Sequence, residues 1–243
     1  MKVAALYDVH GNLPALEAVM ADQRSADADV IVSGGDLVMG PLPAECLDLL
    51  EADGRVRFLS GNGDREACEL EQDGDLGEAA GWCSERLGPE RLARVERWSS
   101  TVALEVPDLG GVLFCHGTPT SDASILTAAT PEEDVARELG DVHADVVLCG
   151  HTHVQYDRRV GRTRVVNAGS VGMPYEGSPD ARWALLGADG IELLSTPYDA
   201  VVALDALSRT GFPLFRQWLA PVLLGHVTAD EATDEFERRR RGA

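Results

Sequence analysis

The chain has 243 residues, a formal net charge of −20 and a single lysine, Lys2, among 21 basic residues. This acidic balance disfavours binding to a nucleic acid duplex, and the scarcity of lysine excludes a lysine-containing phosphate-binding loop. The sequence contains no run of about 18 apolar residues, and Asp8 interrupts the first apolar segment too early for a secretory signal, so we expect a cytoplasmic protein without a membrane partner.

The first part of the chain alternates apolar and amphipathic segments. Residues 3–7, 30–33 and 55–59 are predicted strands, and predicted helices follow Asn12 and cover residues 43–51. Asn12 is a residue type that caps helices. A strand–helix–strand–helix–strand order predicts a parallel sheet with right-handed crossovers.

The rest of the chain changes character twice. Residues 64–99 are acidic and helical, and we interpret them as an insertion over or beside the site, with ordinary packing helices as the alternative. Strands are predicted at 101–106, 111–115, 146–149, 154–160, 162–167, 181–186 and 191–195, with turn residues at 160–162 and 188–190 that indicate antiparallel hairpins. Residues 198–243 form a predicted helical extension. The expectation is one domain over residues 1–243, α/β at first and α+β in its second half.

Side chains with oxygen or nitrogen donors follow several predicted strands at the point where each strand ends. They are Asp8, His10, Asp36, Asn62, His116, His151 and His153. Most of these residues, taken singly, have an ordinary structural explanation such as a turn or a buried histidine, whereas His151-Thr152-His153 after a buried strand is far more specific. Together they form an ordered set without thiolates, which suits two hard or borderline divalent cations. Because ligands bind beyond the carboxyl ends of parallel strands, we expect these side chains to meet at one rim of the sheet.

These residues resemble the motifs of the calcineurin-like metallophosphoesterase family. The matching spans are Asp8-Val9-His10, Gly35-Asp36, Gly61-Asn62-Gly63-Asp64, His116 and Gly150-His151-Thr152-His153. The spans Asp8 to Asn12 and Asn167 to Gly172 look especially like the small bacterial members of the phosphodiesterase type. The resemblance covers about residues 1–196. It implies a four-layer sandwich of two mixed β-sheets flanked by helices.

The resemblance also implies a division of the donors between two metal ions. One ion would be held by Asp8, His10, Asp36 and His153. The other would be held by Asp36, Asn62, His116 and His151, with Asp36 as the bridge. Asp36, Asn62 and His116 are therefore also candidate catalytic residues. Manganese is the favoured metal, with iron, zinc, nickel and magnesium as alternatives.

The chain departs from the family pattern at one position. Many relatives have a histidine directly after the motif asparagine, where it contacts the phosphate, whereas this chain has Gly63. We therefore expect hydrolysis of phosphodiesters or nucleotide phosphoanhydrides with good leaving groups, by a metal-bridging hydroxide. Asn12, Arg65 and Tyr175 are candidate contacts to a small phosphate ester or nucleotide substrate. For Arg65 and Tyr175, a structural role is the favoured alternative.

Two alternatives stay open at the level of the sequence. The first is a phosphoprotein (serine/threonine) phosphatase, which the acidic composition and the absent histidine disfavour slightly. The second is a catalytically silent metal-binding interaction module, since scaffold members of the family exist. Retention of all seven donors argues against the second alternative.

Overall fold

The computed structural model describes residues 1–242, which contain ten strands and nine helices. The strands are β1 (Val3–Leu6), β2 (Val30–Gly34), β3 (Val56–Leu59), β4 (Thr101–Val106), β5 (Gly110–Cys115), β6 (Val146–Cys149), β7 (Tyr156–Val160), β8 (Thr163–Asn167), β9 (Ala181–Gly187) and β10 (Gly190–Thr196). The helices are α1 (Leu13–Ala21), α2 (Gln23–Ala26), α3 (Pro43–Glu51), α4 (Asn62–Glu69), α5 (Gly74–Val95), α6 (Glu132–Leu139), α7 (Ala200–Ser208), α8 (Leu219–Leu223) and α9 (Ala229–Arg240). Within residues 1–242, no helix has both the length and the apolar composition that crossing a membrane requires.

The first sheet has the strand order β10-β9-β1-β2-β3. Strands β1, β2 and β3 are parallel, as the sequence predicts, with Val3 of β1 opposite Val30 of β2. On its other side β1 pairs with β9 in antiparallel orientation, and β9 continues into β10 as a hairpin. The sheet is therefore mixed, because β9 from the second half of the chain adds an antiparallel neighbour to the three parallel strands from the first part.

The second sheet has the order β4-β5-β6-β8-β7. The hairpin prediction is confirmed for β7 with β8, as it is for β9 with β10. Strands β5, β6 and β8, however, run parallel to one another, so the second half of the chain is not built from hairpins alone. Such pairing needs crossover connections, and α6 lies in the one between β5 and β6.

The two sheets pack face to face, and β1 shows how the sequence produces this arrangement. Val3, Ala5 and Tyr7 face the second sheet, where they join Phe114 and Leu148 in the core between the sheets. The alternate residues of β1 belong to a separate core between the first sheet and its helices. A third core lies between the second sheet and α6. The predicted four-layer arrangement of two mixed sheets flanked by helices is thus confirmed.

The helices after residue 60 take different positions around this sandwich. Gly88, with a φ of 71°, interrupts α5 and divides it into two pieces. The second piece lies along α3, where Arg91 forms an ion pair with Asp48. At the end of the chain, α9 contacts the segment before α6, because the buried Glu237 accepts hydrogen bonds from Thr127 and Thr130.

Candidate metal centre

The donor side chains lie where strands of both sheets end, and this corrects the expectation of one rim on one sheet. In the first sheet, Asp8 follows β1, Asp36 follows β2 and Asn62 follows β3. In the second sheet, His116 follows β5 and His151 follows β6. Because the sheets face each other, their strand ends form a common rim, and donors from both halves of the chain converge there.

The backbone is left-handed at five of the seven donor positions. Positive φ angles occur at Asp8 (54°), His10 (47°), Asp36 (52°), His151 (65°) and His153 (58°). They account for five of the seven non-glycine residues with positive φ within residues 1–242. This conformation costs about 1 kcal/mol or more per residue and persists only where the surroundings enforce it, which is typical of functional sites.

Two neighbouring loops enforce this conformation on each other. The amide of Asp8 donates to the carbonyl of Gly35 at 3.1 Å, and the amide of His10 donates to the carbonyl of Asp36 at 2.8 Å. The loops after β1 and β2 are therefore hydrogen-bonded to one another as well as to their own strands. This cross-linking fixes the carboxylates of Asp8 and Asp36 relative to each other.

Asp64 is a buried residue to which the sequence analysis gave no role. Its carboxylate accepts the backbone N–H groups of Asp36 (2.7 Å), Leu37 (2.9 Å), Val38 (2.9 Å) and Gly61 (3.0 Å). Asn62 is the first residue of α4 and does not lie in an isolated turn, since Gly61 is the N-cap. An acidic residue three positions after an N-cap was the signal in the sequence. Asp64 thereby joins the loop that carries Asp36 to the start of α4.

The first group of donors consists of Asp8, His10 and His153. The Nε2 atoms of His10 and His153 lie 3.2 Å apart, and Nε2 of His153 lies 3.2 Å from Oδ1 of Asp8. Each imidazole donates its Nδ1–H to a carbonyl, that of Met39 at 3.0 Å and that of Met173 at 2.9 Å. Both Nε2 atoms then carry lone pairs, which repel one another unless a cation lies between them.

The second group consists of Asp8, Asp36 and His116. Nε2 of His116 lies 3.5 Å from Oδ2 of Asp36 and 3.7 Å from Oδ1 of Asp8. The ring of His151 lies edge-on to that of His116, with 5.2 Å between centroids. Oδ2 of Asp36 also lies 3.7 Å from Nε2 of His10. The Asp36 carboxylate is thus adjacent to both groups.

Within residues 1–242, three donor atoms are buried and have no hydrogen-bond partner. They are Oδ1 of Asp8, Oδ1 of Asn62 and Nε2 of His116. One oxygen of each carboxylate does accept an amide, since Oδ2 of Asp8 accepts that of His151 at 2.9 Å and Oδ1 of Asp36 accepts that of Gly63 at 2.7 Å. Buried polar atoms without partners are rare and destabilising. A bound divalent cation would satisfy these atoms, so the donor set fits a metal centre.

The electrostatics of the histidines are consistent with metal binding. Burial lowers the pKa of His10 and lowers that of His151 to about 4, so both imidazoles are neutral at pH 7. For His116, burial acts in the same direction, but the Asp36 and Asp8 carboxylates outweigh it and raise the pKa to about 10. The carboxylates thus attract positive charge to the Nε2 side of His116, where a metal ion would compete with the proton.

A cavity of about 500 Å³ opens over these donors. The C-terminal helices form its roof, which the sequence analysis did not anticipate. Between ring centroids, Trp218, just before α8, lies 6.4 Å from His10, and Phe236 of α9 lies 6.3 Å from His151. Tyr175, a predicted substrate contact, lines the same cavity and stacks on His153 at 4.6 Å.

The other two predicted substrate contacts lie elsewhere. Asn12 has no exposed surface. Its side chain accepts the amide of Ala15 at 3.3 Å and donates to the Gly172 carbonyl at 2.9 Å and to the Tyr198 hydroxyl at 3.1 Å. Asn12 caps α1, as its residue type predicted, and has no group left for a substrate.

Arg65 lines a different cavity, of about 640 Å³, that contains none of the seven donors. Its guanidinium is held by the carboxylates of Asp122 at 2.7 Å and Glu69 at 3.1 Å. The sequence placed Arg65 next to the motif, but the turn of α4 directs its side chain away from the donors. The geometry therefore gives no support to the prediction of a substrate contact by Arg65.

The geometry around Gly63 explains the departure from the family motif. A Cβ atom at this position would lie 2.8 Å from Cβ of Met39 and 3.0 Å from Oδ1 of Asp36. The Gly63 amide itself donates to that Asp36 oxygen. A larger residue, including histidine, would therefore displace Met39 or the Asp36 carboxylate.

Comparisons with known proteins agree with this geometry. A family model described as the calcineurin-like phosphoesterase superfamily domain matches residues 1–189. An uncharacterized protein of Methanocaldococcus jannaschii is 25% identical over 242 residues, with 89% of this chain and 95% of that protein covered. Similar folds occur in a metallophosphoesterase from Sphaerobacter thermophilus (TM-score 0.76, 24% identity, 93% of this chain and 99% of that one) and a hypothetical protein from Pyrococcus horikoshii OT3 (TM-score 0.77, 17% identity, 93% and 98%).

Proposed function

Because the chain belongs to the calcineurin-like phosphoesterase superfamily, we propose that it is a dinuclear-metal hydrolase of phosphodiester or nucleotide phosphoanhydride bonds. The observation that carries this proposal is the set of buried donor atoms without partners at Asp8, Asn62 and His116. The proposed ligands of one ion are Asp8, His10, Asp36 and His153. The proposed ligands of the other are Asp36, Asn62, His116 and His151.

The resemblance to the family favours manganese as the activating metal, and the donor set is compatible with it. The ligands offer carboxylate, amide and imidazole atoms and no sulfur, which suits manganese and also permits iron, zinc, nickel or magnesium. When bound, two such cations supply a hydroxide nucleophile at neutral pH and neutralise charge on the phosphoryl group.

Hydrogen bonds within this protein fix the positions of the proposed metal ligands. The Nδ1–H bonds of His10 and His153 to backbone carbonyls hold each Nε2 toward the donor cluster. The four amides on Asp64 fix the loop that carries Asp36. Such supporting hydrogen bonds change metal affinity or activity by about 10- to 100-fold in other metal sites.

Departure of the leaving group is the step for which the site offers least. Gly63 has no side chain to donate a proton, and the geometry around it excludes one. Departure then relies on a good leaving group, a second water or another side chain, and a leaving group that is stable as an anion favours aryl alcohols and phosphates over simple alkyl alcohols. This is the reason for proposing aryl phosphodiesters and nucleotide phosphoanhydrides as substrates.

The alternative functions have less support. A phosphorylated serine or threonine is an alkyl ester on a protein surface, whereas the donors lie beneath a roof formed by Trp218 and Phe236. A silent interaction module has no need for strained, partnerless donor atoms. In the following experiment, a silent interaction module would give no turnover, and a protein phosphatase would hydrolyse phosphopeptides.

The test is hydrolysis of bis-p-nitrophenyl phosphate by protein stripped with EDTA and reloaded with Mn²⁺. We expect turnover only with metal, and His151→Ala should reduce it by at least about 100-fold, since it removes a proposed ligand. His143→Ala is the matched control, because His143 is exposed and outside the cavity. Metal-independent turnover, or equal activity of both variants, would contradict the proposal. A panel of dinucleoside polyphosphates, cyclic nucleotides and phosphopeptides would then separate the diesterase from the protein phosphatase.

A further inference from the structure

The C-terminal helix α9 supplies one wall of the cavity over the donors. Its contribution consists of Glu231, Ala232, Glu235, Phe236 and Arg239. These residues lie beyond the segment that matches the superfamily domain, which ends at residue 189. The wall is therefore a feature of this chain in addition to the proposed metal centre.

Several contacts hold α9 in a defined position. At its start, Thr228 and Glu231 form a reciprocal capping box, and the carbonyl of Val227 accepts the amide of Gly177 at 2.8 Å. Toward its end, the buried Glu237 binds the second-sheet side of the molecule through Thr127 at 2.8 Å. The side chains that α9 directs into the cavity consequently have fixed places relative to the donors.

The outer cavity is acidic. Glu66, Glu231 and Glu235 line it, and the one guanidinium of the lining, Arg239, is held by Glu235 at 2.7 Å. Hydrogen bonds from Thr228 lower the pKa of Glu231, and those from Arg239 lower the pKa of Glu235, so both are ionised at neutral pH. A substrate with several negative charges is repelled by these carboxylates, whereas a phosphodiester with one charge is repelled least.

The same cavity presents aromatic surface. The rings of Tyr175, Trp218 and Phe236 are partly exposed in its lining, and Tyr175 and Phe236 lie 6.3 Å apart with an interplanar angle of 31°. Aromatic side chains next to a phosphate-binding centre suit a planar nitrogen base, which gains affinity by stacking. Gln217 and the α9 carboxylates add hydrogen-bonding groups for a base or a ribose.

We propose, building on the function proposed above, that the site selects singly charged phosphodiesters that join a nucleoside to an acidic alcohol, and that Glu231, Glu235 and Phe236 of α9 determine this selectivity. The carboxylates of Glu231 and Glu235 repel a substrate that carries additional negative charge. The ring of Phe236 increases affinity for the nucleoside by stacking on its base. Hydrolysis itself depends on the donor cluster and not on these three side chains.

Three esters with the same leaving group test the proposal: p-nitrophenyl phosphate, methyl p-nitrophenyl phosphate and thymidine 5′-(p-nitrophenyl phosphate). For the Mn²⁺-loaded protein, we expect kcat/KM to be highest for the thymidine ester and lowest for the doubly charged monoester. If none of the three is hydrolysed, the proposed function itself is contradicted. If the monoester is preferred, this inference alone is overturned.

The charge effect is tested with the double variant Glu231→Gln, Glu235→Gln, which keeps the capping box and the hydrogen-bonding groups. We expect kcat/KM for the monoester to rise about tenfold relative to the methyl diester at low salt, and the gain to shrink at high salt. The control is Asp230→Asn, Asp234→Asn, which removes two exposed charges from α9 outside the cavity. Equal ratios in both double variants would overturn the role of the two glutamates.

The stacking effect is tested with Phe236→Leu, which keeps an apolar side chain but removes the ring. We expect the preference for the thymidine ester over the methyl ester to fall about tenfold, as base–aromatic stacking contributes in other proteins. The rise in Tm that Mn²⁺ causes should match that of the unchanged protein, which shows that the variant folds and binds metal. An unchanged preference for the thymidine ester would overturn the role of Phe236.

Discussion

Glu237 offers a test of how α9 is attached to the rest of the domain. This side chain is 5% exposed and accepts hydrogen bonds from Thr127, Thr130 and Arg240. Replacing Glu237 with glutamine keeps its size but removes the negative charge. The amide group then faces Arg240, a donor opposite a donor, so we expect Glu237→Gln to loosen α9.

The magnitude follows from the pKa of Glu237. Burial alone would raise it, but hydrogen bonds from Arg240, Thr130 and Thr127 outweigh burial and lower the pKa from 4.5 to about 2. This difference corresponds to about 3 kcal/mol of stability at pH 7. Because the folded-state pKa is depressed, the contribution is complete above about pH 4.5 and is lost as the pH falls toward about 2. At pH 3.5 about 2 kcal/mol should remain.

The assay is urea denaturation between pH 3.5 and 7, together with hydrogen exchange of the α9 amides. The control is Glu235→Gln on the same helix, whose partly exposed ion pairs should contribute much less. If α9 undocks before the domain unfolds, the loss in Glu237→Gln will appear as faster exchange in α9 and not in the global transition. Wild-type stability and wild-type α9 protection in Glu237→Gln would refute this reasoning.

Three further results are expected. Gly63→Ala should lower kcat/KM at least tenfold and cost about 1–3 kcal/mol of stability, because its Cβ has no space. The control is Gly81→Ala in α5, where nothing lies within 4 Å of the added Cβ. This control should stabilise the protein by about 0.5–1 kcal/mol in thermal unfolding. Asn12→Ala should lower the free energy of unfolding by about 2 kcal/mol through loss of the helix cap and its other hydrogen bonds, and neither it nor Arg65→Ala should change KM more than twofold. Mn²⁺ added after EDTA treatment should raise Tm in proportion to the logarithm of its concentration, and a constant Tm would contradict binding to the folded state.

The sequence predicts the parallel unit of the first sheet and both short hairpins. Buried parallel strands are continuous apolar runs, and glycine turns close hairpins locally, so both signals lie within a few neighbouring residues. The antiparallel pairing of β1 with β9 joins residues about 180 positions apart. No local pattern specifies that pairing, because it depends on how the finished layers fit together.

The candidate donors were accessible from the sequence because each follows a strand and because the family motifs are specific. The left-handed backbone at His10 and His153 was not, since it is imposed by hydrogen bonds between loops. Asn12 and Arg65 lie outside the cavity over the donors for a similar reason. Both residues are close to the motifs in sequence, but the side chain of Asn12 is used by the α1 cap, and that of Arg65 is directed to Asp122.

The roof formed by α9 illustrates the largest gap between sequence and structure. The helix is recognisable from its capping residues, and the buried Ala232 and partly buried Phe236 indicate that one face is covered. That pattern does not say which surface covers it. The answer depends on Glu237 meeting Thr127, a contact between segments 110 residues apart.

Seven side chains that follow strands of both sheets are proposed to bind a pair of divalent cations. Crystals of the protein loaded with Mn²⁺, measured at the manganese absorption edge, test this proposal most directly. We expect two anomalous peaks, one against Nε2 of His10 and His153 and one against His116 and His151, with the Asp36 carboxylate between them. A single peak, or manganese bound away from these imidazoles, would contradict the account.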